Sequence, residues 1–202
     1  MEKINQVSGR VMPLPMDNID TDMIIPAQFL TRVDKAGYGE HVFQRLRDQD
    51  PQFPFNLPQY QSANILVAQD NFGCGSSREH AVWALKDSGI EVIIATSFAD
   101  IFFNNSGKNG LVLITQPEQV IESFLTRAAS EAFELSVDLE TETIAVSADV
   151  SADERYSFSM NPFHRHCFRH GLDQLDYLLD CQDQIEQWNQ TQSPHAQIGI
   201  AK

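Results

Sequence analysis

Residues 70–81, Asp-Asn-Phe-Gly-Cys-Gly-Ser-Ser-Arg-Glu-His-Ala, hold the densest chemistry in this chain. The hydroxyls of Ser76 and Ser77 stand beside the guanidinium of Arg78, with the thiol of Cys74 two residues upstream. A guanidinium offers a planar fork of donors that matches a carboxylate or a phosphate. A hydroxyl becomes a base or nucleophile only where its surroundings favour the anion. A thiol at a helix N-terminus is acidified, so Cys74 is easily mistaken for a nucleophile. No histidine accompanies it in the sequence as a triad would require. The combination points to anion binding.

Such groups need a scaffold. Upstream, residues 64–68 (Asn-Ile-Leu-Val-Ala) read as a buried strand, and downstream, residues 81–86 (Ala-Val-Trp-Ala-Leu-Lys) read as a helix closed by Ser88 and Gly89. Gly73 and Gly75 let the backbone turn sharply and approach a ligand. Ser76 or Ser77 is expected to cap the helix, with Glu79 completing a capping box from Ser76. The first helical turn would then present free N–H groups and a positive dipole end to an anion. The run lacks the Lys-Ser/Thr of a Walker loop and the third glycine of a dinucleotide fingerprint. By itself Gly-x-Gly-Ser-Ser fits an ordinary capped turn as well as a ligand site.

The remaining elements are consistent with one α/β domain. Residues 91–95 and 111–114 read as further buried strands, and residues 97–105 as a helix capped by Ser97. This alternation implies parallel pairing, with the glycine loop at the carboxyl end of its strand, where open α/β sheets hold ligands. Residues 9–15 form a short strand, which its prolines push toward an edge or an end. Residues 117–129 are a helix, and residues 134–139, 143–147 and 155–159 an antiparallel meander packed on the first sheet. Asn161 and Pro162 start another helix, which Gly171 ends, and residues 173–188 form the last. Residues 48–60 read as a long ordered loop.

The chain has 202 residues, 42% of them hydrophobic and 21% charged, enough for one sizeable core. A formal charge of −14 and the lack of any basic run argue against nucleic acid. An acidic chain must therefore hold an anionic substrate with local Arg and Lys. Cys74, Cys167 and Cys181 lack Cys-x-x-Cys spacing, which fits a reducing compartment better than a disulfide scaffold. No signal core and no membrane-length apolar run appears, so a cytoplasmic location is expected. His166 and His170 lie four apart on one helix, yet no third metal ligand is evident; cations facing the helix C-terminal dipole explain them better.

The full string from Asn71 to Ala81 resembles the active-site loop of the aconitase superfamily's swivelling domain, and more narrowly that of the isopropylmalate isomerase small-subunit family. Residues 18–26 (Asn-Ile-Asp-Thr-Asp-Met-Ile-Ile-Pro), 55–60, 97–102 and 171–173 agree in order, so the likeness runs from about residue 7 to about residue 180. It implies a three-layer β/β/α swivelling domain with a mainly parallel sheet and C-terminal helices. That domain would span residues 1–188, with a recognition loop and long insertion at 29–60 and a disordered tail at 189–202. By resemblance Ser76 is the catalytic base, and Ser77, Arg78 and Gly75 hold a substrate carboxylate. The same resemblance makes residues 29–39 the recognition loop, with Arg32 or Lys35 near the distal part of the substrate. Arg32 alone of the two offers a bidentate fork. It also puts Asp22 at the rim of the site; from sequence alone, Asp20 to Asp22 is equally a helix cap.

The reaction so implied is removal and re-addition of water on a 2-alkylmalate dicarboxylate. It needs a placed base beside a carboxylate and a Lewis acid for the departing hydroxide. The resemblance expects no metal on this chain. A 4Fe–4S cluster is expected in a separate large subunit, in a heterodimer or higher assembly. Small subunits of homoaconitase or citraconate (2-methylmalate) type hydro-lyases share the motif, and a phosphate- or nucleotide-binding α/β module shares the anion-binding turn.

Overall fold

The computed structural model describes residues 1–30, 37–146 and 154–191. Seven strands form one sheet: β1 (Gln6–Leu14), β2 (Ala63–Ala68), β3 (Val92–Ala95), β4 (Val112–Thr115), β5 (Glu134–Asp138), β6 (Thr143–Val146) and β7 (Arg155–Ser157). Their spatial order is β4-β3-β2-β1-β5-β6-β7. The four strands from β4 to β1 pair in parallel, and those from β1 through β7 in antiparallel fashion. The α/β class expected from the sequence is the one found. The meander, however, extends the first sheet through the β1–β5 pairing rather than packing on it as a separate one.

β1 is therefore central rather than an edge strand. Its prolines are tolerated because pairing is divided along its length. β5 pairs with Gln6 to Arg10 and β2 with Arg10 to Leu14, the register shifting between Arg10 and Val11. Pro13 thus lies where only one side of the strand is paired, and its missing N–H leaves no gap in the β5 ladder.

Side chains along β2 alternate between two cores, as a strand's two-residue period dictates. Leu66 and Ala68 face one cluster with Leu14, Ile93, Phe102 and the buried residues of helix α3 (Glu79–Asp87). Ile65 and Val67 face the other, with Phe124 and Ile121 of the later helix Glu118–Ser130, and Leu135 and Val137 of β5. Both faces of the parallel half are covered, so its strands read as continuous apolar runs.

The other helices are α1 (Thr21–Ile24), α2 (Gln44–Gln49), α4 (Asp100–Asn109), α5 (Glu118–Ser130), α6 (Pro162–His170), α7 (Gln174–Asp180) and α8 (Gln182–Thr191). Asn161 caps α6 through Phe163 N–H, and Gly171 ends it in the left-handed conformation, as expected. The last helix breaks in two at Cys181 and reaches Thr191, past the expected end at 188. Of the loop expected at 48–60, residues 48 and 49 belong instead to the end of α2, and the remainder carries two single 3-10 turns, each opened by a proline. No helix of the described residues is long and apolar enough to cross a membrane.

Candidate functional site

The loops that follow β1, β2 and β3 lie side by side at the carboxyl ends of these parallel strands. Short parallel bridges join Asp20 to Cys74 and Phe72 to Phe98. Gly73 N–H donates to Ile19 O at 2.7 Å, and Phe72 N–H to Ser97 O at 3.1 Å. A polar clasp locks the three loops. Asp70 N–H donates to Asp17 Oδ1 (2.9 Å), Asn71 Nδ2 to Asn18 Oδ1 (2.7 Å), Ser97 Oγ to Asp70 Oδ1 (2.6 Å) and Asn71 N–H to Ser97 Oγ (2.9 Å). Gly73 is held at φ +78°, where a Cβ would lie 2.2 Å from Phe102 Cγ, so only glycine fits against α4.

Two expected caps are corrected. α3 starts at Glu79 with Arg78 as its N-cap and no side-chain cap, so neither Ser76 nor Ser77 caps it and no capping box forms. The left-handed Gly75 (φ +89°) swings the chain outward, and Gly75, Ser76 and Ser77 are left exposed before the helix begins. Likewise α4 starts at Asp100 behind Ala99; the Ser97 hydroxyl is spent on the clasp instead.

Arg78 does not stand alone. Its Nη1 pairs with Asp22 Oδ1, joining the loop after β2 to α1 after β1. Arg78 is largely buried, while Asp22 is half exposed. That hydrogen bond holds the Asp22 carboxyl below the usual carboxylate range, and the charges of Arg78 and Arg45 add to the effect. Arg45, an exposed residue on α2, was missed in the sequence, where it is one more charge on a short helix. Among the described residues Asp22 is the single partner of the Arg78 guanidinium, which leaves its other N–H donors for a ligand. The Ser76 and Ser77 hydroxyls likewise have no hydrogen-bond partner among the described residues.

Asp20 is the N-cap of α1, accepting from Met23 N–H at 2.7 Å, so one stretch both caps a helix and presents Asp22 to Arg78. Arg32 and Lys35 lie outside the described residues. The downstream end of their loop is tied to the end of α3, where Asp87 Oδ2 accepts from Gly37 N–H and Gly39 N–H, both at 2.8 Å.

Cys74 is not at a helix N-terminus, since α3 begins five residues later. Burial, and then the Asp20 charge, push its thiol up, the opposite of an activated nucleophile. The cysteines are spread over the loop after β2, α6 and the α7–α8 junction. No group of three or more metal-ligating side chains converges among the described residues. These thiols do not fit an iron–sulfur cluster, which needs three or four thiolates brought together. His166 and His170 stack at 4.1 Å, and His170 Nδ1 sits 2.9 Å from His166 O at the end of α6.

The chain is similar to known proteins. The aconitase C-terminal domain family matches residues 1–119. The 3-isopropylmalate dehydratase small subunit of Francisella philomiragia is 46% identical over 192 residues, covering 95% of this chain and 99% of the relative. That of Ruegeria sp. strain TM1040 is 45% identical over 197 residues, covering 94% and 96%. A crystal structure of 3-isopropylmalate dehydratase from Methanocaldococcus jannaschii superposes with a TM-score of 0.66 at 29% identity, covering 91% of this chain and 99% of that one. The matches span both the glycine loop and the strands that carry it, and the chain belongs to the 3-isopropylmalate dehydratase small subunits of the aconitase C-terminal domain family.

Proposed function

We propose that this chain is the base-bearing half of a hydro-lyase that isomerises 2-isopropylmalate to 3-isopropylmalate by dehydration and rehydration, as a leucine-pathway enzyme in the cytoplasm. The observation that carries this reading is the exposed Ser76–Ser77 pair beside an Arg78 guanidinium that Asp22 holds by one nitrogen only. In this reading Arg78 and Ser77 receive a substrate carboxylate, with the Gly75 backbone giving it room. Ser76 takes the proton from the carbon next to that carboxylate. The amides of residues 76–80 make no backbone hydrogen bond among the described residues, and with Arg78 they favour a negative oxygen at Ser76. Asp22 aims the guanidinium, and Arg32 or Lys35 meets the far end of the substrate.

Among the described residues no group of three or more metal-ligating side chains converges; in this reading the family's 4Fe–4S cluster sits in the large subunit, and activity requires the assembled pair. Co-expression with that subunit, followed by assay on 2-isopropylmalate, tests the reading. Conversion to 3-isopropylmalate is expected. Turnover of 2-methylmalate or a homoaconitate without turnover of 2-isopropylmalate would reassign the chain to a sister hydro-lyase.

A further inference from the structure

Thr21 is one of few polar side chains buried among the described residues, at 2% exposure. Its Oγ1 donates to the Ser76 carbonyl at 3.0 Å, and its own N–H donates to the Cys74 carbonyl at 3.0 Å. It therefore grips the backbone on both sides of Gly75, the residue whose left-handed φ projects Ser76 outward. Its neighbours act on the same loop: Asp20 bridges Cys74, and Asp22 pairs with Arg78. One short turn after β1 thus holds residues 74, 76 and 78, every second residue of the loop.

Neither end of the hydroxyl bond is demanded by the fold. Thr21 opens α1, a position where threonine is no better than many residues, and Asp20 already supplies the cap. Ser76 is exposed, so water can serve its carbonyl. What the bond does is fix the Ser76 peptide plane, and with it the direction of the Ser76 side chain.

We propose that Thr21 is a positioning residue for Ser76: its buried hydroxyl sets the orientation of the base, while Asp22 independently sets that of Arg78. This rests on the reading of Ser76 as base. Because the two holds are separate, losing the Thr21 hydroxyl disturbs proton transfer and spares carboxylate binding.

The test compares Thr21→Val with Thr21→Ser in the complex with the large subunit. Thr21→Val should lower kcat at least about tenfold, since small misplacements of reacting groups are costly, with KM changed less than about twofold. Thr21→Ser should restore kcat to within about threefold of the parent. In the isolated chain, tryptic cleavage after Arg78 should quicken severalfold in Thr21→Val and revert in Thr21→Ser, whatever the substrate proves to be. A Thr21→Val enzyme with parental kcat, or a Thr21→Ser enzyme as slow as Thr21→Val, overturns the proposal. So does unchanged cleavage after Arg78. Ser76→Ala run in parallel separates the failures: full activity there sinks the reading of Ser76 itself, not the hold of Thr21 on the loop.

Discussion

The two halves of the sheet use ion pairs for different ends. In the antiparallel half, Arg127 pairs with Glu154, Arg165 with Glu142 and Arg169 with Glu140. These pairs fasten α5 and α6 to the meander. In the parallel half, Arg78 pairs with Asp22 across two loops that follow different strands, beside two exposed hydroxyls with no partner of their own. The first kind ties helices to strands away from any exposed pair of hydroxyls. Arg165 and Arg169 are likewise held through one nitrogen each, so what sets Arg78 apart is its place beside two exposed hydroxyls at the carboxyl end of a parallel sheet, where α/β sheets hold ligands.

The sharpest way to break that contrast is Ser76→Ala. In the assembled enzyme it should lower kcat by at least about a hundredfold, because a positioned base contributes that much or more. Its melting temperature should be unchanged, since the hydroxyl neither caps α3 nor bonds any described residue. Retention of a tenth of the parental rate would return the loop to the scaffold class.

Arg78→Lys keeps the charge but loses the fork, and should raise KM and lower kcat by about tenfold each. It also tests whether Asp22 needs a guanidinium. Near-parental kinetics would make the Arg78–Asp22 pair one more scaffold bridge.

A third, smaller effect is in acid. The folded Asp22 carboxyl lies below its unfolded value, near 3.9, because it accepts from Arg78. Such a group adds stability that is present above the unfolded value and is lost as pH falls through the folded one. Asp22→Asn should therefore cost under about 1 kcal/mol at pH 7, discounted for the exposure of the carboxylate. The gap to the parent should close below about pH 4. Urea midpoints across that range measure it; a gap that widens in acid would assign the shift elsewhere.

Least of all, Arg165→Gln should cost under about 0.5 kcal/mol of stability and leave kcat and KM at parental values. A kinetic effect from this bridge would blur the division between the two halves.

Local order was legible in the sequence. The apolar run at 64–68, the glycine turn and the helix at 81–86 emerge as β2, the loop and α3, because strand, turn and helix are each encoded within a few residues. Asn161 and Gly171 mark α6 for the same reason. The misread caps fail for an instructive cause. Ser76, Ser77 and Ser97 have the chemistry of a cap, but Gly75 turns the first two outward and Asp70 claims the third.

Residue types and local spacing alone determined that this chain sets two hydroxyls and a guanidinium on a glycine turn between a strand and a helix of an α/β scaffold. Only the tertiary structure decided what holds that loop. Asp22 meets Arg78, and Thr21 meets Ser76, across more than fifty residues. Arg45 adds its charge to Asp22 from α2. These meetings depend on β1 lying beside β2 in one parallel register, Leu14 opposite Ala68, which brings the two following loops level. Periodicity reports which face of a strand is buried; it carries no record of which strand lies alongside.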